Sequence, residues 1–99
     1  MGETYSSAVW VVTPGREDDF VAAWKEFVGW SATMPGSGTF RLVQDRAQSN
    51  RFLSFAPWED IEAQHAWTQQ PEFSDLLART RAHCDEFHPS EYNAAAEVS

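Results

Sequence analysis

Apolar residues in this chain cluster with two different periods. Residues 8–12 (AVWVV) are a short continuous apolar run rich in β-branched side chains, which predicts a strand covered on both faces. Thr13-Pro14-Gly15 breaks that run, and Glu17, Asp18 and Asp19 put negative charge where a helix N-terminus attracts it. Phe20, Trp24, Phe27, Val28 and Ser31 then recur at steps of three and four, so a helix is expected over residues 16–32, with Lys25 and Glu26 on its wet side. Met34-Pro35-Gly36-Ser37-Gly38 ends it. Residues 39–46 (TFRLVQDR) alternate with Phe40 and Leu42 on one side and predict a strand, residues 47–50 a hairpin turn, and residues 51–56 (RFLSFA) a returning strand that Pro57 closes. A second helical region begins with Asp60 as N-cap, and Pro71 restarts it, because proline is tolerated in a first turn and breaks a helix interior. Phe73, Leu76, Leu77, Thr80, Cys84 and Phe87 trace one face of its second part, placing His83 in the last helical turns.

Residues 88–98 (HPSEYNAAAEV) pull two ways: three alanines disfavour a strand, yet the preceding pattern needs one to finish its sheet, and a strand is the expectation. The resulting order, β-α-β-β-α-β, is α+β and ferredoxin-like, with two helices on one face of a four-stranded antiparallel sheet. Strands apolar on both faces would leave a sheet face uncovered, and a homodimer packed through that sheet face would cover it. Residues 1–7 (MGETYSS) are polar and expected to be a flexible N-terminus ahead of a single domain over residues 8–98.

Composition narrows the candidates for partners. Five Trp and seven Phe supply much of the core volume of a 99-residue chain, since each large ring buries ~150–250 Å². A formal charge of -8, with seven Lys and Arg spread from Arg16 to Arg81, forms no basic stripe and argues against nucleic acid or an anionic membrane as partner. The single cysteine, Cys84, excludes an intrachain disulfide and a cysteine-cluster metal site. With no signal-like pattern in the first thirty residues and no apolar run approaching the ~20 needed to span a bilayer, the expected location is the cytoplasm.

The order of elements, the Val12-Thr13-Pro14-Gly15 turn before the first helix, the segment from Trp58 to Trp67 and the Trp67-x-x-x-Pro71-x-Phe73 run resemble the antibiotic biosynthesis monooxygenase family of dimeric α+β barrels. The likeness covers residues 8–98 and rests on spaced aromatics and turn residues, so it carries the fold further than the activity. It implies oxygenation of a small aromatic or polycyclic phenolic substrate without metal or flavin, and therefore no cofactor. Haem-degrading relatives carry an asparagine in the first strand, a tryptophan in the second helical region and an iron-ligating histidine ten residues later. Trp67 matches the tryptophan, but Ala8 and Leu77 occupy the other two positions, and neither can do the missing job.

His65 and Trp67 are two apart, and at ~100° per residue they point ~200° from each other on a helix, so they cannot share one cavity. With Asp60 as N-cap, Ala63, Ala66, Trp67 and Gln70 share one face, and Ile61, His65 and Thr68 the other; the resemblance turns the Trp67 face inward. Trp67 is then the expected wall of a pocket on which an aromatic substrate stacks, as against plain core filler, and His65 is a general-base candidate only under another helix phase. Trp24, Phe27, Phe55 and Phe73 are the expected substrate-binding aromatics, and Tyr92 and Asn93 the polar groups that would orient a substrate hydroxyl. No H-x-H, H-E-x-x-H or C-x-x-C spacing joins His65, His83 or His88 to a second ligand, so no metal is expected. Cys84 lies on an apolar stripe and reads as packing rather than as a nucleophile. Three functions remain open: a cofactor-independent monooxygenase, a non-catalytic dimer that binds a small aromatic molecule or serves a larger enzyme, and an isomerase or cyclase, which would need no oxygen.

Overall fold

The computed structural model describes residues 3–99. Strand β1 (Thr4–Val12) is followed by helix α1 (Glu17–Ser31), strands β2 (Arg41–Gln44) and β3 (Arg51–Trp58), helices α2 (Ile61–Thr68) and α3 (Pro71–Arg81), and strand β4 (Cys84–Asn93). The four strands form one antiparallel sheet in the order β2-β3-β1-β4, so the fold is the ferredoxin-like α+β arrangement. Its second helical region is two helices, broken at Gln69 and Gln70 and restarted by Pro71 in the first turn of α3.

Strand alternation decides which side chains meet the helices. Trp10 lies opposite Phe52 on β3 and Phe87 on β4, and Ala8 lies opposite Ser54 and Pro89, so these positions look toward the helices. Trp10, Val12 and Phe52 pack there with Phe20 and Trp24 of α1. Their neighbours one residue along, Val9, Val11, Leu53 and Phe55, turn to the other face. Pairs of rings bind the layers together, Trp10 lying 5.3 Å from Phe20 and 4.6 Å from Phe87.

Three expectations need correction. Strand β1 begins at Thr4, so residues 4–7, expected to be loose, are paired on both sides, Thr4 with Trp58 and Asn93 and Ser6 with Ala56 and Glu91. The looseness expected of residues 1 and 2 lies outside the described residues. Polar side chains are tolerated in this central strand because Ser6 and Thr4 find hydrogen-bond partners there.

Pro57 lies within β3 and does not end it. Its carbonyl accepts from Gly38 N, 2.8 Å away, on the side away from β1 and beyond Phe55, where the β2 ladder stops. No strand there needs the N–H that proline lacks.

Helix α3 stops at Arg81, so His83 follows the helix and Cys84 and Phe87 belong to β4. The last strand thus starts four residues earlier than expected and ends at Asn93, leaving Ala94, Ala95 and Ala96 outside it. Steps of four and three happen to prolong the helical stripe through Cys84 and Phe87. Phe87 meets Trp10 in regular register, and a shift of register between Val11 and Val12 then brings Cys84 opposite Val12.

Helix α2 is seated at its first turn. The Asp60 carboxylate accepts from Ala63 N at 2.8 Å, as an N-cap should. Gly36, at φ +85°, sits so close to the helix that a Cβ there would lie 2.7 Å from Ala63 Cβ.

Candidate functional site

A cavity of about 530 Å³ lies between the helices and the sheet. Its walls come from Trp24 and Phe27 of α1, Trp67 of α2 and Phe73 and Leu77 of α3, and its floor includes Trp10, Ser6 and Ser54. An apolar hollow with a few polar groups is the usual form of a small-molecule site.

Trp67 is 8% exposed and tightly held. Its indole N–H donates to Ser31 Oγ at 2.8 Å, and that hydroxyl donates to the Phe27 carbonyl at 2.9 Å. The ring lies nearly parallel to Phe27, 16° apart at 6.0 Å, and meets Phe73 edge-on at 4.8 Å. Ser31, on the apolar stripe of α1, thus keeps a polar partner for the indole in a place where an orphaned N–H would cost about 1–3 kcal/mol.

The expected site residues separate. Trp24, Phe27, Phe73 and Trp67 converge on the cavity. Phe55 borders it through its strand, but alternation between buried Phe52 and Ala56 turns the ring toward the opposite sheet face. Tyr92, paired with Tyr5 and 57% exposed, is on that opposite face as well, which removes it from the cavity wall. Asn93 lies at the end of β4 opposite Thr4, exposed and outside the lining. His65 is on the exposed side of α2, as the helix phase with Asp60 as N-cap requires.

His65 has a neighbour that the sequence did not point to. Its Nε2 is 4.0 Å from Glu91 Oε1, both side chains more than half exposed, and Glu91 borders the mouth of the cavity. Among the described residues, Glu91 is the only ionisable side chain in the lining. Ser6, Ser54 and Gln64, polar residues of the lining, were also missed. Gln64 is 2% exposed and accepts a hydrogen bond from Thr4 Oγ1 at 2.8 Å. Its position three residues before Trp67, hence on the same helical face, was the available signal.

Cys84 stands apart from this cavity. Burial, aided by the negative charge of Asp85 and partly offset by Arg81, pushes its thiol up to about 11, which makes it a poor nucleophile at neutral pH. Among the described residues no three His, Cys, Asp or Glu side chains gather as a metal site would need, and no helix is long and apolar enough to cross a membrane.

The fold and the hollow beneath its helices define a ferredoxin-like domain with an apolar cavity between helices and sheet. More particularly, the chain belongs to the antibiotic biosynthesis monooxygenase family, whose model matches residues 6–79. Its fold is shared with an alanine variant of SnoaB, a cofactor-independent oxygenase from Streptomyces nogalater, at a TM-score of 0.92 and 20% identity over 99% of this chain and 98% of that one. A conserved protein of Methanosarcina mazei matches at a TM-score of 0.87 and 14% identity, covering 96% and 95% of the two chains. At such identities the likeness establishes the fold alone. An uncharacterised Synechocystis protein is 26% identical over 69 residues, which are 70% of this chain and 47% of that protein. The chain therefore spans about half the length of that curated relative.

Proposed function

We propose that this domain is a cofactor-independent monooxygenase acting on a small aromatic or polycyclic phenolic substrate, and that it works as a homodimer joined through the sheet face. The observation that carries the reading is the cavity itself: an apolar hollow walled by Trp67, Phe27 and Phe73, beneath helices of a family that includes oxygenases. A flat ring stacks on such walls, and exclusion of water protects a reactive anion from competing reactions.

The chemistry asks little of the protein. A phenol whose keto form carries a ring CH₂ loses a proton to give an electron-rich anion, which passes one electron to O₂. The two radicals combine as a ring peroxide, and loss of water leaves a quinone carbonyl. One oxygen atom stays in the product and the other leaves as water, with both hydrogens of the CH₂ accounted for. In this scheme Glu91, which borders the cavity, takes the first proton, with His65 Nε2 4.0 Å from its carboxylate. Tyr92 and Asn93 have no part in this scheme, and Tyr92 belongs instead to the face assigned to the dimer.

A second reading, a dimer that binds the same ligand without turnover, is favoured by the cavity floor, whose side-chain polar groups are hydroxyls and an amide rather than acids or bases. Both readings need Trp67 as a wall. Trp67→Phe keeps a ring but shrinks the stacking surface and frees Ser31, and we expect it to weaken binding of anthrone-like compounds roughly 2- to 10-fold, as read by quenching of the remaining tryptophans. Lower stability with unchanged affinity would instead make Trp67 plain core.

A further inference from the structure

Three polar residues of the cavity lining, Ser6, Ser54 and Gln64, share one property. Trp10 Nε1 donates to Ser54 Oγ at 2.9 Å, and Trp58 Nε1 donates to Ser6 Oγ at 3.0 Å. Thr4 Oγ1 donates to Gln64 Oε1 at 2.8 Å. In all three cases a buried donor behind the floor occupies one lone pair of the oxygen. Besides the second lone pair on each oxygen, each group keeps an uncommitted donor: the hydroxyl hydrogens of Ser6 and Ser54, and the amide NH₂ of Gln64. Among the described residues none of these hydrogens has an acceptor, and all three residues border the cavity.

Sheet register sets the two hydroxyls on one patch. Ser6 is opposite Ala56 and Ala8 is opposite Ser54, so the serines are diagonal neighbours on adjacent strands, facing the helices, at a separation of roughly 7 Å between backbones. Gln64 comes down from α2 beside Trp67, bonded to Thr4 of the same central strand.

We propose that Ser6, Ser54 and Gln64 are a donor floor that holds the carbonyl or phenolate oxygen of a flat ligand, so that the cavity selects aromatic ketones, quinones and phenolates over rings whose edges carry only hydrogen. The inference rests on the reading of the cavity as an aromatic-ligand site and adds what selects among such ligands. Filling the cavity with a ligand that cannot accept removes water from three donors and replaces it with nothing. A site built of hydrogen-bonding groups discriminates strongly against such an analogue. A developing oxyanion at the same place would strengthen the same three bonds, which suits an anion formed from a phenol.

The test uses the full chain and two tricyclic probes of nearly equal shape, 9-fluorenone with one carbonyl and fluorene with none. Affinities are read by quenching of tryptophan fluorescence. Water solvates the ketone better, so an indifferent apolar cavity favours fluorene. The donor floor predicts that fluorenone binds at least about 10-fold more tightly. Gln64→Glu keeps an acceptor for Thr4 while replacing the NH₂ with an oxygen, and it is expected to bring the two affinities to within about 2-fold of each other or to reverse them. Ser54→Ala is expected to narrow the gap in the same direction, with retained fluorene affinity showing that the cavity is intact. Equal binding of the two probes by the unmodified protein, or a preference unmoved in Gln64→Glu, overturns the donor floor and leaves the aromatic cavity standing. If neither probe binds, the aromatic-ligand reading fails and the inference fails with it.

Discussion

Trp10→Ala is expected to lower the stability of the domain by about 3–5 kcal/mol, the usual cost of deleting a buried aromatic side chain. Trp10 is 2% exposed, in the central strand, and packs against Phe20 above it and Phe87 beside it. Its removal opens a hole where α1, β1 and β4 meet and takes away the donor behind Ser54. Against a total of about 5–15 kcal/mol for an ordinary domain, that loss brings the chain near its unfolding threshold. The midpoint of urea unfolding measures it: the account expects a large fall in midpoint with little change in slope, whereas a fall below about 1 kcal/mol would place the core elsewhere.

Leu53→Asp is expected to weaken self-association at least about 100-fold, with the fold retained. Leu53 is at the middle of the outer sheet face, opposite Val9 on one side and Val43 on the other, and is 37% exposed. Val43 and Tyr92 extend the same face, at 46% and 57% exposure. Two like charges brought together in such an interface would each lose water and gain no partner. Sedimentation velocity over a dilution series checks this. A dimer in the unmodified protein and a monomer in the variant is the expected pair of results, and a monomer in both would remove the proposed homodimer.

Much of the architecture was legible because local signals agreed. The stripe from Phe20 to Ser31, Asp60 as N-cap, Pro71 as a restart and the hairpin around residues 47–50 each depend on nearby residues, and each matches the structure. Where reading by period failed, the decisive partner was distant in sequence. Residues 4–7 look like a polar tail until Trp58 and Asn93 are laid beside Thr4. Pro57 looks like a strand end until β2 is seen to stop short of it. Cys84 and Phe87 extend a helical stripe by coincidence of spacing, and only pairing with β1 reassigns them.

The same limit applies to the site. The aromatic walls follow from helix phase, so Trp24, Phe27, Trp67 and Phe73 could be named in advance. Tyr92 was misplaced because the boundary of β4, and with it the alternation of that strand, was not known. The floor was invisible for a different reason: serine and glutamine are unremarkable in sequence, and what distinguishes Ser6, Ser54 and Gln64 is that Trp58, Trp10 and Thr4, distant in sequence, each donate to them from a neighbouring element.

The central claim, oxygenation without a cofactor, is tested most directly by oxygen uptake of the purified, metal-stripped protein with anthrone-like and hydroquinone compounds, run beside Trp67→Phe and a protein-free control. Uptake well above the control is expected, with one oxygen atom of labelled O₂ retained in the quinone formed from an anthrone-like compound and a slower rate in the variant. Uptake no faster than the control, with ligand binding still evident from tryptophan quenching, would contradict it and leave a binding module in its place.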